Sequence, residues 1–412
     1  MRPSFRLTMA IGVVLATTTI ARADCGIDAG SVRILSNDFE ALQIVATAAE
    51  ECASPTVTVT KNQTTEHENL QVPALTTNPA TYTVAVVANS SILPLLNNGL
   101  IRPMDDLVEK YGQNIDETQL IRIDGKVMAI AFMSNAQHLW FRQDILDQIG
   151  VPAPTSYEDV LAAAQMIRDQ GIMQTPLAAS FKPGWDLAEE FVNMYLGMGG
   201  EFFAPGTAEL AIDNDQGRQA LEMMKSLSGY MSPDFVTYNT NELSSLWKDG
   251  QVAMMNGWGS RTGAAIDPAG PAPDIAANTG FASAPTVGGG SIPAATLWWD
   301  GFAIAANISD EDAEASFQAM MHALAPETAQ RNPTAATWLI KGYEPTAAAA
   351  GVIATVQAGA KPYPMVPYMG LLHTALGDNL AEFMQGQEGA DQALKDVGLA
   401  YETAAREAGF LQ

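Results

Sequence analysis

Between Val32 and Ala88 the chain alternates β-branched apolar runs with segments of helical period, and that alternation leaves few architectures open. Val32-Arg33-Ile34-Leu35 predicts a strand, Phe39–Glu51 a helix with apolar residues at helical spacing, and Thr56-Val57-Thr58-Val59-Thr60 a second strand. A helix over Glu66–Leu75, a buried strand over Thr81–Ala88 and a short helix over Ile92–Gly99 follow, the last stopped by its glycine. Strands and helices in turn build a doubly wound α/β lobe. With 412 residues and 47% hydrophobic positions, the chain can bury a large core and is expected to form two domains.

The pattern continues with strands over Gly125–Phe132 and Leu139–Phe141. Pro152 and Pro154 then break the chain, and Thr155 with Glu158 predicts a capping box that opens a helix to Asp169. Helices are expected over Leu187–Gly197, Gln216–Leu227 and Glu242–Lys248, strands over Val252–Met255 and Thr296–Ala305, and a helix over Asp310–Leu324 opened by Ser309. Leu371–Met384 and Ala390–Ala408 read as closing helices.

Arg2 and Arg6 precede an apolar run from Leu7 to Leu15, and Ala21-Arg22-Ala23 has the A-x-A form of a cleavage site, so residues 1–23 read as a secretory signal peptide. The run is well short of the roughly 20 residues of a spanning helix, which predicts an exported, periplasmic product. Lys and Arg total 21 against 46 Asp and Glu, a net charge of −25 that becomes −28 once Arg2, Arg6 and Arg22 are removed. That field repels phosphate backbones and anionic headgroups and argues against nucleic-acid or polybasic membrane binding. Cys25 and Cys52 are the two cysteines, and in an oxidising compartment they are expected to form one disulfide. The competing readings are a lipidated Cys25, for which Arg22 and Asp24 are poor neighbours, and two free buried thiols.

Enzyme motifs fail one by one. Ser260, within Gly257-Trp258-Gly259-Ser260-Arg261-Thr262, lacks the glycines of a nucleophile elbow, and Thr262 replaces the third glycine of a dinucleotide fingerprint. No Walker A sequence occurs. His67, His138, His322 and His373 are too scattered for a zinc site and read as surface or packing residues. The pairs Asp105-Asp106 and Glu189-Glu190 read as solvated acidic faces in so acidic a chain. Met223-Met224, Met254-Met255 and Met320-Met321 read as core filler.

What remains is a set of segments in a particular order. Gly125-Lys126-Val127-Met128-Ala129-Ile130-Ala131-Phe132, Leu139-Trp140-Phe141-Arg142-Gln143-Asp144 and Gly150-Val151-Pro152-x-Pro154-Thr155-Ser156-Tyr157-Glu158-Asp159-Val160 come first. Leu246 to Trp258, Asp300-Gly301-Phe302-Ala303-Ile304 with Ser309 to Phe317, then Pro362 to Pro367 and Gly386 to Leu394 follow. This succession resembles the extracellular solute-binding proteins of ABC importers, in the sugar-binding group that includes maltose-binding protein. Arg142 stands where that family often has asparagine, Ala131 where it often has proline, and Ala80-Thr81-Tyr82-Thr83 replaces its usual Pro-Asp. The resemblance implies a periplasmic binding protein type II fold: two doubly wound α/β lobes joined by three crossovers, here near 129–134, 297–303 and 350–362. The lobes are then residues 24–131 with 302–355, and 132–301 with 356–412. It further implies a monomer without cofactor or metal that holds a small-molecule carbohydrate in the interlobe cleft and delivers it to membrane permease subunits.

A neutral sugar is held by aromatic rings against its faces and planar polar groups along its rim. Trp258, between Gly257 and Gly259 that let the backbone bring its ring close, is the first candidate, at a sugar-stacking position by the resemblance. Trp298 and Trp299 alternate on a strand, so one of them faces the cleft, and Asp300 could accept a diol. Trp185 matches a family loop that carries an aromatic contact. Asn37 and Asp38, Thr64 to Glu66 (Thr65 and Glu66 above all), and Asn89 and Ser90 follow the first three strands, where α/β sheets place ligands. Asn135 and His138, and Tyr363 and Tyr368, adjoin the first and third crossovers. Arg261 is the one residue near Trp258 that could support a phosphate or carboxylate ligand instead. The rival reading from another class is an exported carbohydrate-active hydrolase using paired carboxylates.

Overall fold

The structure, a computed structural model, describes residues 25–412. The signal segment and its cleavage site lie outside the described residues. β1 (Gly30–Ser36), α1 (Glu40–Glu50), β2 (Val57–Gln63), α2 (His67–Thr76) and β3 (Val84–Ala88) realise the alternation read in the sequence. α1 forms because Ala41, Leu42, Val45, Ala46 and Ala49 line one buried face. β1 pairs in parallel with β2, from Gly30 opposite Val57 to Ser36 opposite Gln63, and with β3 on its other side.

β4 (Leu120–Ile123) is a short arm antiparallel to β5 (Lys126–Arg142). β5 is a single strand of 17 residues where two were expected. The polar run Ser134-Asn135 interrupts the apolar signal in sequence, yet backbone pairing continues through it because the strand has partners on both sides of the break. Residues 130–136 pair with β9 (Thr296–Ile304), and residues 137–141 pair with β7 (Met254–Trp258). Between them in sequence lie β6 (Leu177–Ala178), parallel to β7, and β8 (Thr279–Ala282), antiparallel to β5. β9 also runs antiparallel to β3, and the order across the whole sheet is β2-β1-β3-β9-β5-β7-β6. The sheet is therefore mixed, and β5, between β9 and β7, joins its two halves.

Two large apolar clusters flank this passage. One gathers Val32, Ile34, Val84, Phe302, Phe317 and Met320; the other gathers Leu139, Phe141, Phe191, Tyr195, Met254 and Tyr401. The helix over Tyr157–Asp169 is opened by Ser156 with Asp159, one residue later than the expected pair, while the Thr155 hydroxyl donates to the Asp159 carboxylate and Glu158 accepts from the backbone of Gly288. Ser309 caps the helix Asp310–Ala323 as expected. Met224, Met254, Met255 and Met320 are buried, with Met223 and Met321 at the cluster margins. Cys25 and Cys52 are joined, tying the chain before β1 to the end of α1. The expectation for Glu189-Glu190 fails: both lie on the buried side of the helix Trp185–Gly197 and are almost wholly removed from solvent.

Candidate functional site

Because β1, β2 and β3 are parallel, their carboxyl ends open at one edge, and the loops that follow them form one wall of a cleft. Asn37 and Phe39 follow β1, Thr65 to Asn69 follow β2, and Ala88 and Ser90 close β3. The facing wall comes from the start of the helix Trp185–Gly197, from residues 239–241, and from the end of β7 with Ser260 and Arg261. Asn135 on β5 and Trp298 and Asp300 on β9 form the floor. The cavity between them is about 580 Å³.

Trp185, Trp258 and Trp298 meet in a corner of this cavity. Their ring centroids lie 6.1 Å (Trp185 to Trp258), 5.7 Å (Trp185 to Trp298) and 6.1 Å (Trp258 to Trp298) apart. Trp298 is fixed from behind: its indole N–H donates to Glu189 at 3.1 Å and to the Thr296 hydroxyl at 2.7 Å, and Tyr363 packs on it at 4.3 Å. The glycines around Trp258 serve a different purpose from the one expected. A Cβ on Gly257 would meet the Trp140 ring at 2.8 Å and one on Gly259 would meet Val352 at 2.2 Å, so both glycines make room for packing behind the ring rather than for a guest in front of it.

Of the residues singled out in the sequence, Trp185, Trp258, Trp298, Asp300, Asn37, Thr65, Glu66, Ser90, Asn135 and Arg261 line the cavity. Six do not. Trp299 points to the opposite face and packs in the apolar cluster with Leu75 and Ile92. Asn89 is buried and spent on β9, its side-chain oxygen accepting from the Trp299 N–H at 2.9 Å. Asp38 turns outward and accepts from Gln43 at 2.7 Å. His138 is fully buried between Trp140 and Phe281, and burial lowers its pKa to about 4. Tyr363 is a support, bonded to His373 at 3.0 Å. Tyr368 donates to the Thr207 carbonyl at 2.6 Å and packs against Phe203.

Sequence reasoning missed Phe39, His67, Glu68, Asn69, Asp186, Asn239, Asn241 and Ser260. The loop after β2 was the right place to look, but its cleft-facing stretch runs on into the first turn of α2, which supplies His67 to Asn69. Asn239 caps the helix Thr240–Lys248, its side-chain oxygen accepting from the backbone N–H groups of Asn241 and Glu242.

Burial sets the electrostatics. It raises the Asp300 carboxyl to about 7, with repulsion from Glu68 adding to the effect, and it raises Glu68 against the pull of a bond from Ser90 at 2.9 Å. Asp186 is likewise raised by burial while accepting from the Thr240 hydroxyl at 3.1 Å. His67 falls to about 4 and is neutral. Beneath the floor, burial raises Glu189 to about 8 and Glu190 to about 7. Burial lowers the pKa of Arg261 against the attraction of Asp38 and Glu40, and its guanidinium lies 5.7 Å from the Phe39 ring centre. Among the described residues, the one grouping of metal-ligand atoms is Cys25, Cys52 and His322, and the disulfide occupies both sulfurs.

The comparisons agree with this architecture. Residues 35–330 match the sequence model of the family described as "Bacterial extracellular solute-binding protein". A "Probable ABC transporter-binding protein" of Deinococcus radiodurans is 24% identical over 265 residues, 63% of this chain and 59% of that relative, so the chain spans under two thirds of its length. The maltose-bound MalE3 of T. maritima superposes with a TM-score of 0.79 at 18% identity over 91% of this chain and all of that one. A solute-binding protein of Agrobacterium radiobacter K84 in complex with ribitol does so with a TM-score of 0.79 at 18% identity, over 92% and 99%. Those two likenesses establish a type II periplasmic-binding fold of two α/β lobes, and the match across residues 35–330 makes this chain a member of the bacterial extracellular solute-binding protein family.

Proposed function

We propose that this protein is the periplasmic substrate-binding component of an ABC importer, capturing a carbohydrate or polyol in the cleft and presenting it to membrane permease subunits. The observation that carries the reading is the tryptophan corner beside a rim of Asn, Thr and carboxylate groups, an arrangement that meets C–H faces with rings and hydroxyls with planar acceptors. Family membership supports a binding role, and the relatives with bound maltose and ribitol support the ligand class. Residues 24–131 with 302–355 and residues 132–301 with 356–412 act as the two closing units. A guest that touches both walls favours the closed form by its difference in affinity for the two forms. The protein works as a monomer after export.

Thermal unfolding of the exported protein with monosaccharides, disaccharides and polyols tests the proposal. A ligand at a hundredfold excess over Kd stabilises by about 2.7 kcal/mol. A carbohydrate that raises the midpoint and is recovered unchanged is the expected result. A panel without any shift overturns the carbohydrate reading, and recovery of cleaved sugar overturns the binding role.

A further inference from the structure

The charge balance of the cleft is one-sided. Glu66, Glu68, Asp186 and Asp300 line it, and none of the four forms a salt bridge among the described residues; Lys182 only tempers Asp186 from a distance. Against these four carboxyls the lining offers one permanent cation, Arg261, which forms no salt bridge among the described residues and feels the charges of Asp38 and Glu40 as well; His67 is uncharged.

Asp300 and Glu68 line the same cavity, the charge of Glu68 adds to the burial that raises Asp300, and no protein donor bonds the Asp300 carboxylate among the described residues. Desolvated carboxylates without a cation are costly, and the cost falls when a guest brings the missing positive charge. Two observations independent of the acids point to such a guest. The corner of Trp185, Trp258 and Trp298 presents indole rings, the aromatic faces that attract cations best. On the opposite wall His67 lines the same cavity, is 7% exposed, and its buried Nδ1 has no hydrogen-bond partner among the described residues.

We propose that the ligand is a carbohydrate or polyol carrying a protonated amine, its ammonium seated between Asp300, Glu68 and the tryptophan corner. This rests on the carbohydrate reading above and narrows it to a charge class. Neutral hydroxyls can occupy the same acceptors, but they leave the repulsion between Asp300 and Glu68 in place, whereas an ammonium removes it.

Calorimetric titration of matched pairs at pH 7 tests the point: glucose against glucosamine, sorbitol against 1-amino-1-deoxysorbitol, and the N-acetylglucosamine dimer against its deacetylated form. The amine of at least one pair is expected to bind at least tenfold more tightly, with a preference that shrinks as sodium chloride is raised. Asp300→Asn and Glu68→Gln are each expected to cut the preference severalfold while the neutral partner still binds, which also reports that the variant is folded. A neutral partner that binds as well or better in every pair overturns the amine proposal alone, as does a preference unchanged in both variants. No binding by any member of any pair overturns the carbohydrate reading with it. Choline is the remaining arm: its binding in the absence of any carbohydrate binding makes the guest an organic cation without a sugar frame and overturns the proposal.

Discussion

Glu189→Gln isolates the charge chemistry under the cleft floor. Glu189 is fully buried; one carboxyl oxygen accepts from Thr296 and from the Trp298 indole, and the other has no partner among the described residues. Burial raises its pKa from the ordinary 4.5 to about 8. Between those values the native protein keeps a proton that the unfolded chain has released, so stability falls as pH rises through this window, by about 1.4 kcal/mol per pH unit. Glutamine copies the protonated form at every pH and keeps an oxygen for both donors. Its second site holds an amide N–H₂ without a partner, a cost of about 1–3 kcal/mol that does not vary with pH. The variant is therefore less stable than the parent at pH 5, and the gap shifts in its favour by roughly 3–4 kcal/mol by pH 8. Glu190, raised to about 7 by burial, declines in both proteins, and because its charge also helps to raise Glu189 the difference reads the coupled pair. Urea unfolding followed by far-ultraviolet circular dichroism at pH 5, 6.5 and 8 yields that difference. A gap that stays constant across the three pH values refutes the assignment of a buried, proton-holding Glu189.

Four further outcomes are expected. Trp258→Ala and Trp298→Ala should each weaken binding of the best carbohydrate from the panel by roughly 1–3 kcal/mol, read by calorimetry, because each removes a large apolar face from the same corner. Trp299→Ala, whose ring packs on the other side of β9, should lower the melting temperature while leaving affinity close to the parent value. Gly351→Ala would set a Cβ 2.1 Å from the buried His138 ring and should cost about 1–3 kcal/mol in chemical unfolding, with His138→Ala restoring part of the loss in the double variant. Replacing Cys25 and Cys52 together by serine releases a link between residues 27 apart and should cost about 3–4 kcal/mol if loop entropy governs, again by chemical unfolding.

Local pattern carried the parts of this fold that local interactions decide. α1 repeats its apolar residues at helical spacing and the Ser309 cap satisfies a nearby backbone N–H, so both were legible in the sequence. β5 was not, because its middle residues are held by strands from distant parts of the chain, and neither Ser134 nor Asn135 signals that pairing. The cap at Ser156 differs from the expected Thr155 by one residue for a similar reason: both hydroxyls can reach Asp159, and the backbone decides which one caps.

The candidate site divides along the same line. Alternation on a strand required Trp298 and Trp299 to face opposite ways but could not choose between them. The choice belongs to Asn89, Glu189 and Tyr363, which bond the strand's backbone or pack its rings from elements far away in sequence. The acidic residues show the limit most sharply. Glu66, Glu68, Glu189 and Glu190 belong to the same residue type in a chain with 46 acids, yet two line the cleft and two lie sealed in the interior, Glu189 bonded to Trp298 and Glu190 to Ser180 and Gln137. What separates them is the tertiary environment, which raises the sealed pair to about 8 and about 7 and leaves the cleft acids short of positive partners. Stability therefore reads the charge of the sealed pair and ligand choice reads the charge of Glu68 and Asp300 in the cleft, so pH titration of unfolding and matched-pair binding measure different carboxylates of one site.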